Sequence, residues 1–150
     1  MQVEDRVDSL EAMIAHAEVI KHKVSKEAVG WHIDHSLKVI IKTCMAVKKS
    51  DPNAYKWHFN YARFHVFTLK SFRRGVVRAP NSVRPQGEVI VEALHKQMTS
   101  ARALLKEISN LPVNSNFNHP YFGLINLPQV HKFLNIHTHH HLKIMRDIID

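Results

Sequence analysis

Cysteine, glycine and long apolar runs are all scarce in this sequence. Its single cysteine, Cys44, cannot form a disulfide within the chain, and such low cysteine usage suits a reducing compartment. Cys44 stands at helical spacing among apolar residues, so we interpret it as a core residue rather than a nucleophile. No stretch approaches the roughly 20 apolar residues of a membrane span, and the N-terminus lacks the features of a secretory signal. We therefore expect a cytoplasmic protein that does not enter a membrane.

Acidic residues are also in the minority. The chain has 13 Asp and Glu against 21 Lys and Arg, which gives a formal net charge of +8 and a pI near 9.8. This charge permits an anionic ligand, nucleic acid or an acidic surface as a partner, but it requires none of them. The 150 residues suffice for one domain with its own core, and we treat 1–150 as a single domain. Histidine, with 13 copies, is the residue type in excess.

The few glycines and prolines fall between stretches in which apolar residues recur at helical spacing. We predict an all-α fold whose four long helices cover about residues 7–21, 26–49, 88–110 and 128–149. Ser25 is the expected N-cap of the second helix. The aromatic segment 55–72 is expected to be partly helical, with its rings in the core, and 111–123 is expected to be a loop. The long crossover between helices 2 and 3 favours a four-helix bundle.

The last predicted helix carries four histidines within five positions, His137 to His141. His137 and His141 are four residues apart, so they lie one turn from each other on the same helix face. That face continues the apolar stripe of the helix, where an unpartnered polar group costs about 1–3 kcal/mol. Because neutral imidazole is a common ligand of divalent transition metals, the pair indicates half of a metal site. His139 is expected on the solvated side, and His140 within reach of the inward face.

The second predicted helix holds the other pair of close histidines, His32 and His35. Periodicity alone does not choose between them as the source of a further ligand. Three imidazoles from two helices would leave a coordination position open, as a catalytic metal requires. Zinc, nickel, iron or manganese could be held by such a ligand set, and geometry would choose among them.

Three segments resemble motifs of the DinB-like superfamily. The run Trp31-His32-Ile33-Asp34-His35-Ser36-Leu37 resembles its first histidine motif, and His137-x-x-His140-His141 is similar to its closing motif. The segment His119-Pro120-Tyr121-Phe122-Gly123 resembles the lead-in of the DUF1569 branch. The resemblance extends over about residues 25–149. It implies a four-helix bundle that holds a divalent metal, zinc or nickel foremost, through His35, His137 and His141. It also implies a tendency to form homodimers.

Characterised members of that superfamily include thiol transferases and a mycothiol-dependent isomerase, in which the metal activates a low-molecular-weight thiol. The resemblance therefore implies, as the leading hypothesis, a metal-dependent transferase that acts with such a thiol. His32, His65 and His140 are candidate general bases. The alternatives are a non-catalytic, metal-stabilised scaffold or interaction protein and, less favoured, a nucleic-acid-binding module.

The crossover is rich in arginine, with Arg73, Arg74, Arg78 and Arg84 close together in the sequence. Because arginine pairs bidentately with carboxylates, these side chains could hold the acidic groups of a peptide-like thiol. The alternative is a solvated basic loop without a ligand.

Overall fold

The computed structural model describes residues 2–76 and 78–150. The regular structure of these residues comprises three short 3-10 helices (Ile14–His16, Pro52–Ala54 and Asn81–Val83), five α-helices and one hairpin: α1 (Val3–Ala12), α2 (Val29–Lys48), α3 (Tyr61–Leu69), α4 (Val91–Ile108), β1 (Asn116–His119), β2 (Gly123–Asn126) and α5 (Leu127–Ile149). The prediction of an all-α fold is confirmed for most of these residues, but the two-stranded hairpin departs from it. None of the described helices combines the length and the apolar character needed to cross a membrane.

The four longer helices pack around one apolar core. Helix α2 lies against α4 and α5, and α1 contacts the same two helices. Leu37 and Ile40 of α2, Leu105 of α4 and Leu134 of α5 are fully buried in this core. Cys44 is buried there as predicted, and burial raises the pKa of its thiol to about 12. A thiol of such high pKa stays protonated at neutral pH and is a poor nucleophile.

The region between α1 and α2 differs from the prediction of a helix over residues 7–21. Helix α1 ends at Ala12, and the backbone carbonyls of Ala17 and Val19 instead accept the N–H groups of Gly30 and Val29 at 2.9 and 3.0 Å. Ala17 comes so close that a Cβ on Gly30 would lie 3.1 Å from its carbonyl oxygen. Two N–H groups in the first turn of α2 therefore find their acceptors in the irregular segment before the helix. Helical periodicity in the sequence does not reveal such bonds.

Two further predictions were wrong. Ser25 does not cap α2, whose N-cap is Ala28 without a side-chain hydrogen bond. The predicted loop 111–123 contains strand β1, which pairs antiparallel with β2 from Asn116 opposite Asn126 to His119 opposite Gly123. These strands of four residues each are too short to show a clear alternation of apolar and polar side chains.

The aromatic segment is partly helical as predicted, but most of its rings are not in the core. Trp57 and Tyr61 are 67% and 74% exposed, and Phe59 and Phe64 are also exposed. Helix α3 is nine residues long and contacts α5, where the Lys132 ammonium lies 5.1 Å from the centroid of the Phe67 ring. Trp57 and Phe59 precede α3, and the exposure of Tyr61 and Phe64 shows that the contact with α5 leaves part of the helix surface in solvent.

A buried arginine connects α3 to the hairpin. Arg63 is 5% exposed, and its guanidinium donates hydrogen bonds to the carbonyls of Phe122 (3.3 Å) and Leu124 (3.2 Å) and to that of His58. Its own N–H is bonded to the Asn60 side chain, which caps α3. The guanidinium has five donors in a fixed plane, so it can satisfy several carbonyls at once. We infer that Arg63 fixes the position of the hairpin relative to α3.

We expect Arg63→Met to lower the free energy of unfolding by about 2–4 kcal/mol, because it removes the donor of one buried and two part-buried hydrogen bonds to carbonyls. Arg63→Lys should recover only part of this loss, since an ammonium cannot reproduce the planar fork. Urea denaturation followed by circular dichroism measures both effects. The exposed Arg73 supplies the control, and equal losses for Arg73→Met and Arg63→Met would contradict the role given to Arg63.

Candidate metal centre

Three imidazoles meet at the contact between α2 and α5. One ring nitrogen each from His35, His137 and His141 lies within 4.8 Å of the other two. The ring centroids of His141 are 4.7 Å from those of both His35 and His137. His35 and His141 are 3% and 8% exposed, and His137 is half-buried. A group of this size and composition could hold a metal ion.

Helix α5 positions two of these side chains because of how it begins and where its apolar stripe runs. Asn126 and Gln129 form a reciprocal capping box, and Pro128 stands in the first turn. The buried Val130 and Leu134 then lead along the same face to His137 and His141. Since this face packs on α2, the pair points at His35 as the i, i+4 spacing predicts.

The crossover determines which nitrogen of His35 is free. Nδ1 of His35 lies 2.9 Å from the carbonyl oxygen of Val83, in a short helical turn at Asn81–Val83. A carbonyl can only accept, so Nδ1 carries the hydrogen and Nε2 retains a lone pair. Trp31 stacks on the same ring at a centroid distance of 5.1 Å. The neutral ring is therefore held in one tautomer and one orientation, as is typical of metal-binding histidines.

His32 belongs to a hydrogen-bonded chain behind His141. The two Nδ1 atoms are 3.0 Å apart, and Nε2 of His32 is 3.0 Å from the Ser25 hydroxyl oxygen. One of the two Nδ1 atoms must donate to the other. If His141 donates, its Nε2 keeps a lone pair, and Nε2–H of His32 donates to Ser25. The opposite polarity would place a hydrogen on Nε2 of His141 and block that atom as a ligand.

The structure thus separates the two histidines between which periodicity could not choose. His35 lies in the three-imidazole group, whereas His32 contacts His141 from outside it. Ser25, predicted as a helix cap, instead ends the chain of hydrogen bonds and also accepts the N–H of Glu27. The sequence spacing of His32 and His35 contains no signal for this division of roles.

The donor set suits a divalent cation. Nδ1 of His137 is buried and has no hydrogen-bond partner among the described residues, so this ring lacks part of its expected bonding. Burial lowers the pKa of His137 and His141 well below its usual value, and the neighbouring imidazoles lower it further. Burial also lowers the pKa of His35, despite the opposing bond to Val83. All three rings are therefore neutral at pH 7, the form that binds metals.

The two remaining histidines of the run differ in their surroundings. His140 contacts Phe72 and His141 at centroid distances of 5.9 and 5.2 Å and lines an open cavity. His139 is half-buried rather than solvated, which corrects the prediction, and its Nδ1 is shielded from solvent. Phe72 also contacts His137 at 6.1 Å, so this crossover residue forms part of the wall of the site. No periodic signal in the sequence marks Phe72.

The segment from His119 to Gly123 forms the tip of the hairpin. Nδ1 of His119 accepts the N–H groups of Tyr121 (3.1 Å) and Phe122 (3.2 Å), and its ring stacks on Phe122 at 4.2 Å. Gly123 has φ +65°, which a glycine adopts without strain. His119 also contacts Phe133, which in turn contacts His137. The motif therefore builds a turn that supports the site, and His119 is not in the three-imidazole group.

Because burial lowers the pKa of His119 to about 4, we expect acid to destabilise the metal-free protein before its carboxylates titrate. In the unfolded chain the imidazole of His119 binds a proton as pH falls below about 6.5, whereas in the folded protein it does so only near pH 4. The free energy of unfolding should fall across this window by roughly 1–3 kcal/mol from His119 alone. Urea denaturation at several pH values, with a chelator present, measures the slope.

His119→Asn provides the control, since an asparagine oxygen can accept the N–H two residues later without titrating. This variant should show a shallower loss of stability between pH 6.5 and 4 than the wild type. Identical slopes in the two proteins would contradict the assignment to His119.

The site lies within the part of the chain for which sequence comparison identifies a family. No curated protein and no solved structure matches the sequence. A family profile described as the DinB superfamily matches residues 8–145, a range that contains His35, His137 and His141. Because the match covers nearly the whole chain, this protein belongs to the DinB superfamily.

Proposed function

We propose that this chain is a metal-dependent DinB protein in which His35, His137 and His141 bind one divalent cation. The observation that carries the proposal is the convergence of three neutral imidazole nitrogens within 4.8 Å of one another. The hydrogen bond from His35 to Val83 leaves the lone pair of Nε2 free, which supports the same assignment. We further propose that α1, α2, α4 and α5 form the bundle implied by the family resemblance, and that the turn at His119 places the chain in the DUF1569 branch.

The ligand set favours zinc or nickel, with iron or manganese as alternatives, because all three donors are imidazole nitrogens. Three protein ligands leave a position for an exogenous molecule, and we propose a low-molecular-weight thiol in a transferase reaction. A bound divalent cation would lower the pKa of such a thiol from about 8.5, which supplies thiolate at neutral pH. This chemistry would suit the reducing cytoplasm that the cysteine usage favours.

Among the three candidate bases, His140 has the most suitable position. It lines the cavity beside His141, and burial together with the charges of Arg74 and Lys143 lowers its pKa to about 4. A base this weak does not take a proton from a free thiol of pKa about 8.5, so His140 would accept the proton only from a thiol whose pKa a bound cation has also lowered. Both nitrogens of His32 are already hydrogen-bonded, and His65 is exposed on α3 beside Tyr61. We therefore assign the proton-accepting role to His140.

Elemental analysis of untagged protein, purified without chelator or metal resin, tests the metal site. We expect about one divalent ion per chain in the wild type and none in His137→Ala, because two imidazoles cannot replace a set of three. His139→Ala is the matched control, since it removes a neighbouring histidine of α5 that lies outside the group. It should retain the metal content of the wild type.

Retention of stoichiometric metal by His137→Ala would refute the assignment of ligands. A second test replaces the metal with cobalt and follows the visible spectrum while 2-mercaptoethanol is added. The scaffold alternative predicts that this spectrum does not change and that removal of the metal unfolds the protein. A thiolate-to-cobalt absorption band would instead support the thiol-dependent function.

The chain of hydrogen bonds behind His141 gives a second prediction. His32→Leu removes the acceptor that keeps the hydrogen on Nδ1 of His141, so we expect metal affinity to fall about 10- to 100-fold. His32→Asn should recover most of this affinity, because its side-chain oxygen can accept the same hydrogen. Competition with a chelator of known affinity measures the difference. Equal affinities for the leucine and asparagine variants would show that His32 acts only by filling space.

The exposed aromatic side chains of residues 57–64 favour a protein partner over nucleic acid. Base stacking on a protein requires aromatic side chains beside exposed cations. Residues 55–69 contain two basic residues of the Lys or Arg type, and Arg63 is buried with its guanidinium bonded to backbone carbonyls, so Lys56 alone of the two is exposed. An apolar surface of this kind is typical of protein interfaces. We propose that it contacts a second copy of the chain, in agreement with the homodimer that the resemblance implies.

A further inference from the structure

An open cavity lies next to the three-imidazole group, between the C-terminal end of α3 and the outer side of α5. Its volume is about 230 Å³. Phe72 stands between the cavity and the imidazole group, because its ring contacts both His137 (6.1 Å) and His140 (5.9 Å). His140 lines the cavity and contacts the ring of His141 at 5.2 Å. The side chains of Phe72 and His140 therefore separate the cavity from the imidazole group, and a small molecule in the cavity would reach the proposed metal by passing the ring of Phe72.

The cavity is lined by three cations, Lys70, Arg74 and Lys143, and by the rings of His139 and His140. None of the described residues that line it is acidic. Arg74 forms an ion pair with Asp147 at 2.6 Å, and this carboxylate lies outside the lining. The cavity and Asp147 together therefore keep an excess of positive charge.

The surrounding sequence does not compensate this charge. No aspartate or glutamate occurs between Asp51 and Glu88, the segment that supplies Lys70 and Arg74. Lys70 is held at one edge of the cavity in the left-handed conformation (φ 50°), where it ends α3. This conformation is uncommon for a residue with a side chain.

We propose that this cavity binds a carboxylate of the substrate, so that the thiol is a small organic acid whose sulfur reaches the open metal position. This inference rests on the proposed function for the role of the sulfur, but the anion site itself does not require a metal. Lys70, Arg74 and Lys143 would pair with the carboxylate, and Phe72 and Ile136 would contact the carbon chain that joins it to the sulfur.

The four arginines of the crossover differ in their position relative to this cavity. Arg74 lines the cavity, whereas Arg73, Arg78 and Arg84 do not. Arg73 and Arg78 are exposed, which fits the alternative of a solvated basic loop, whereas Arg84 is half-buried. Their exclusion provides controls that match Arg74 in charge and position along the chain.

Two titrations test the proposal. In the first, the metal-free protein is titrated with propionate and, separately, with inorganic phosphate, and the signals of His140 are followed by nuclear magnetic resonance. In the second, the cobalt-loaded protein is titrated with 3-mercaptopropionate and with 3-mercapto-1-propanol, which differ only in the carboxylate. We expect the acid to bind about two- to fivefold more tightly than the alcohol at low salt.

Four variants identify the groups responsible. Arg74→Gln and Lys143→Gln should each remove much of this preference, while Arg73→Gln leaves it unchanged. Asp147→Asn breaks the same ion pair as Arg74→Gln but leaves the cation in place, so it should strengthen anion binding. Opposite effects of Arg74→Gln and Asp147→Asn cannot arise from loss of the ion pair alone.

The outcomes distinguish this proposal from the proposed function. Equal binding of the acid and the alcohol, or equal losses for Arg73→Gln and Arg74→Gln, would overturn the carboxylate site. Phosphate that binds while propionate does not would show a site for free phosphate and overturn the assignment to a substrate carboxylate. If cobalt does not bind, the proposed function fails, and the propionate titration of the metal-free protein still decides whether the cavity binds a carboxylate.

Discussion

Imidazole rings buried between α2 and α5 lose contact with water, and the structure depends on how their polar atoms are satisfied. His35 donates to the carbonyl of Val83, and His141 is bonded to His32. His137 has a buried Nδ1 without a partner among the described residues. A metal ion would complete this pattern, because it takes lone pairs that the protein leaves free. The other polar contacts at the site serve to hold those lone pairs in place.

This requirement gives the irregular segments a structural purpose. The crossover between α2 and α4 supplies Val83 behind His35 and Phe72 beside His137. The hairpin supports α5 through the stacked rings of His119 and Phe122, and Arg63 joins the hairpin to α3. The helices thus provide the three imidazoles, while the segments between them fix the tautomer of His35 and shape the access to the site.

The irregular segments also supply much of the positive charge near the site. Two cations of the cavity come from the end of α3 and the crossover, and Lys143 comes from α5, one turn after His139. Part of the positive charge that gives the chain its net charge of +8 therefore lies beside the imidazole group. The exposed aromatic rings lie at the other end of α3 and its preceding segment, where exposed lysine and arginine are sparse. These two surfaces of α3 therefore differ in chemistry.

Residue spacing by itself determined the features that depend on local geometry. The interval between His137 and His141 places both on one helix face, and the apolar stripe around them predicts that this face is inward. The positions of α2, α4 and α5, and the burial of Cys44, also follow from helical periodicity. Family resemblance, rather than periodicity, selected His35 over His32.

Tertiary structure alone decided the features that depend on contacts between distant segments. Val83 lies 48 residues from His35 and Arg63 about 60 residues from the carbonyls of the hairpin, so no local pattern encodes either bond. The exposure of Tyr61 likewise follows from how little of α3 faces α5, and that of Trp57 from its place in the segment before α3. Periodicity reports which face of a segment is apolar, whereas the partner of a buried polar atom is determined by whichever segment the fold brings within hydrogen-bonding distance.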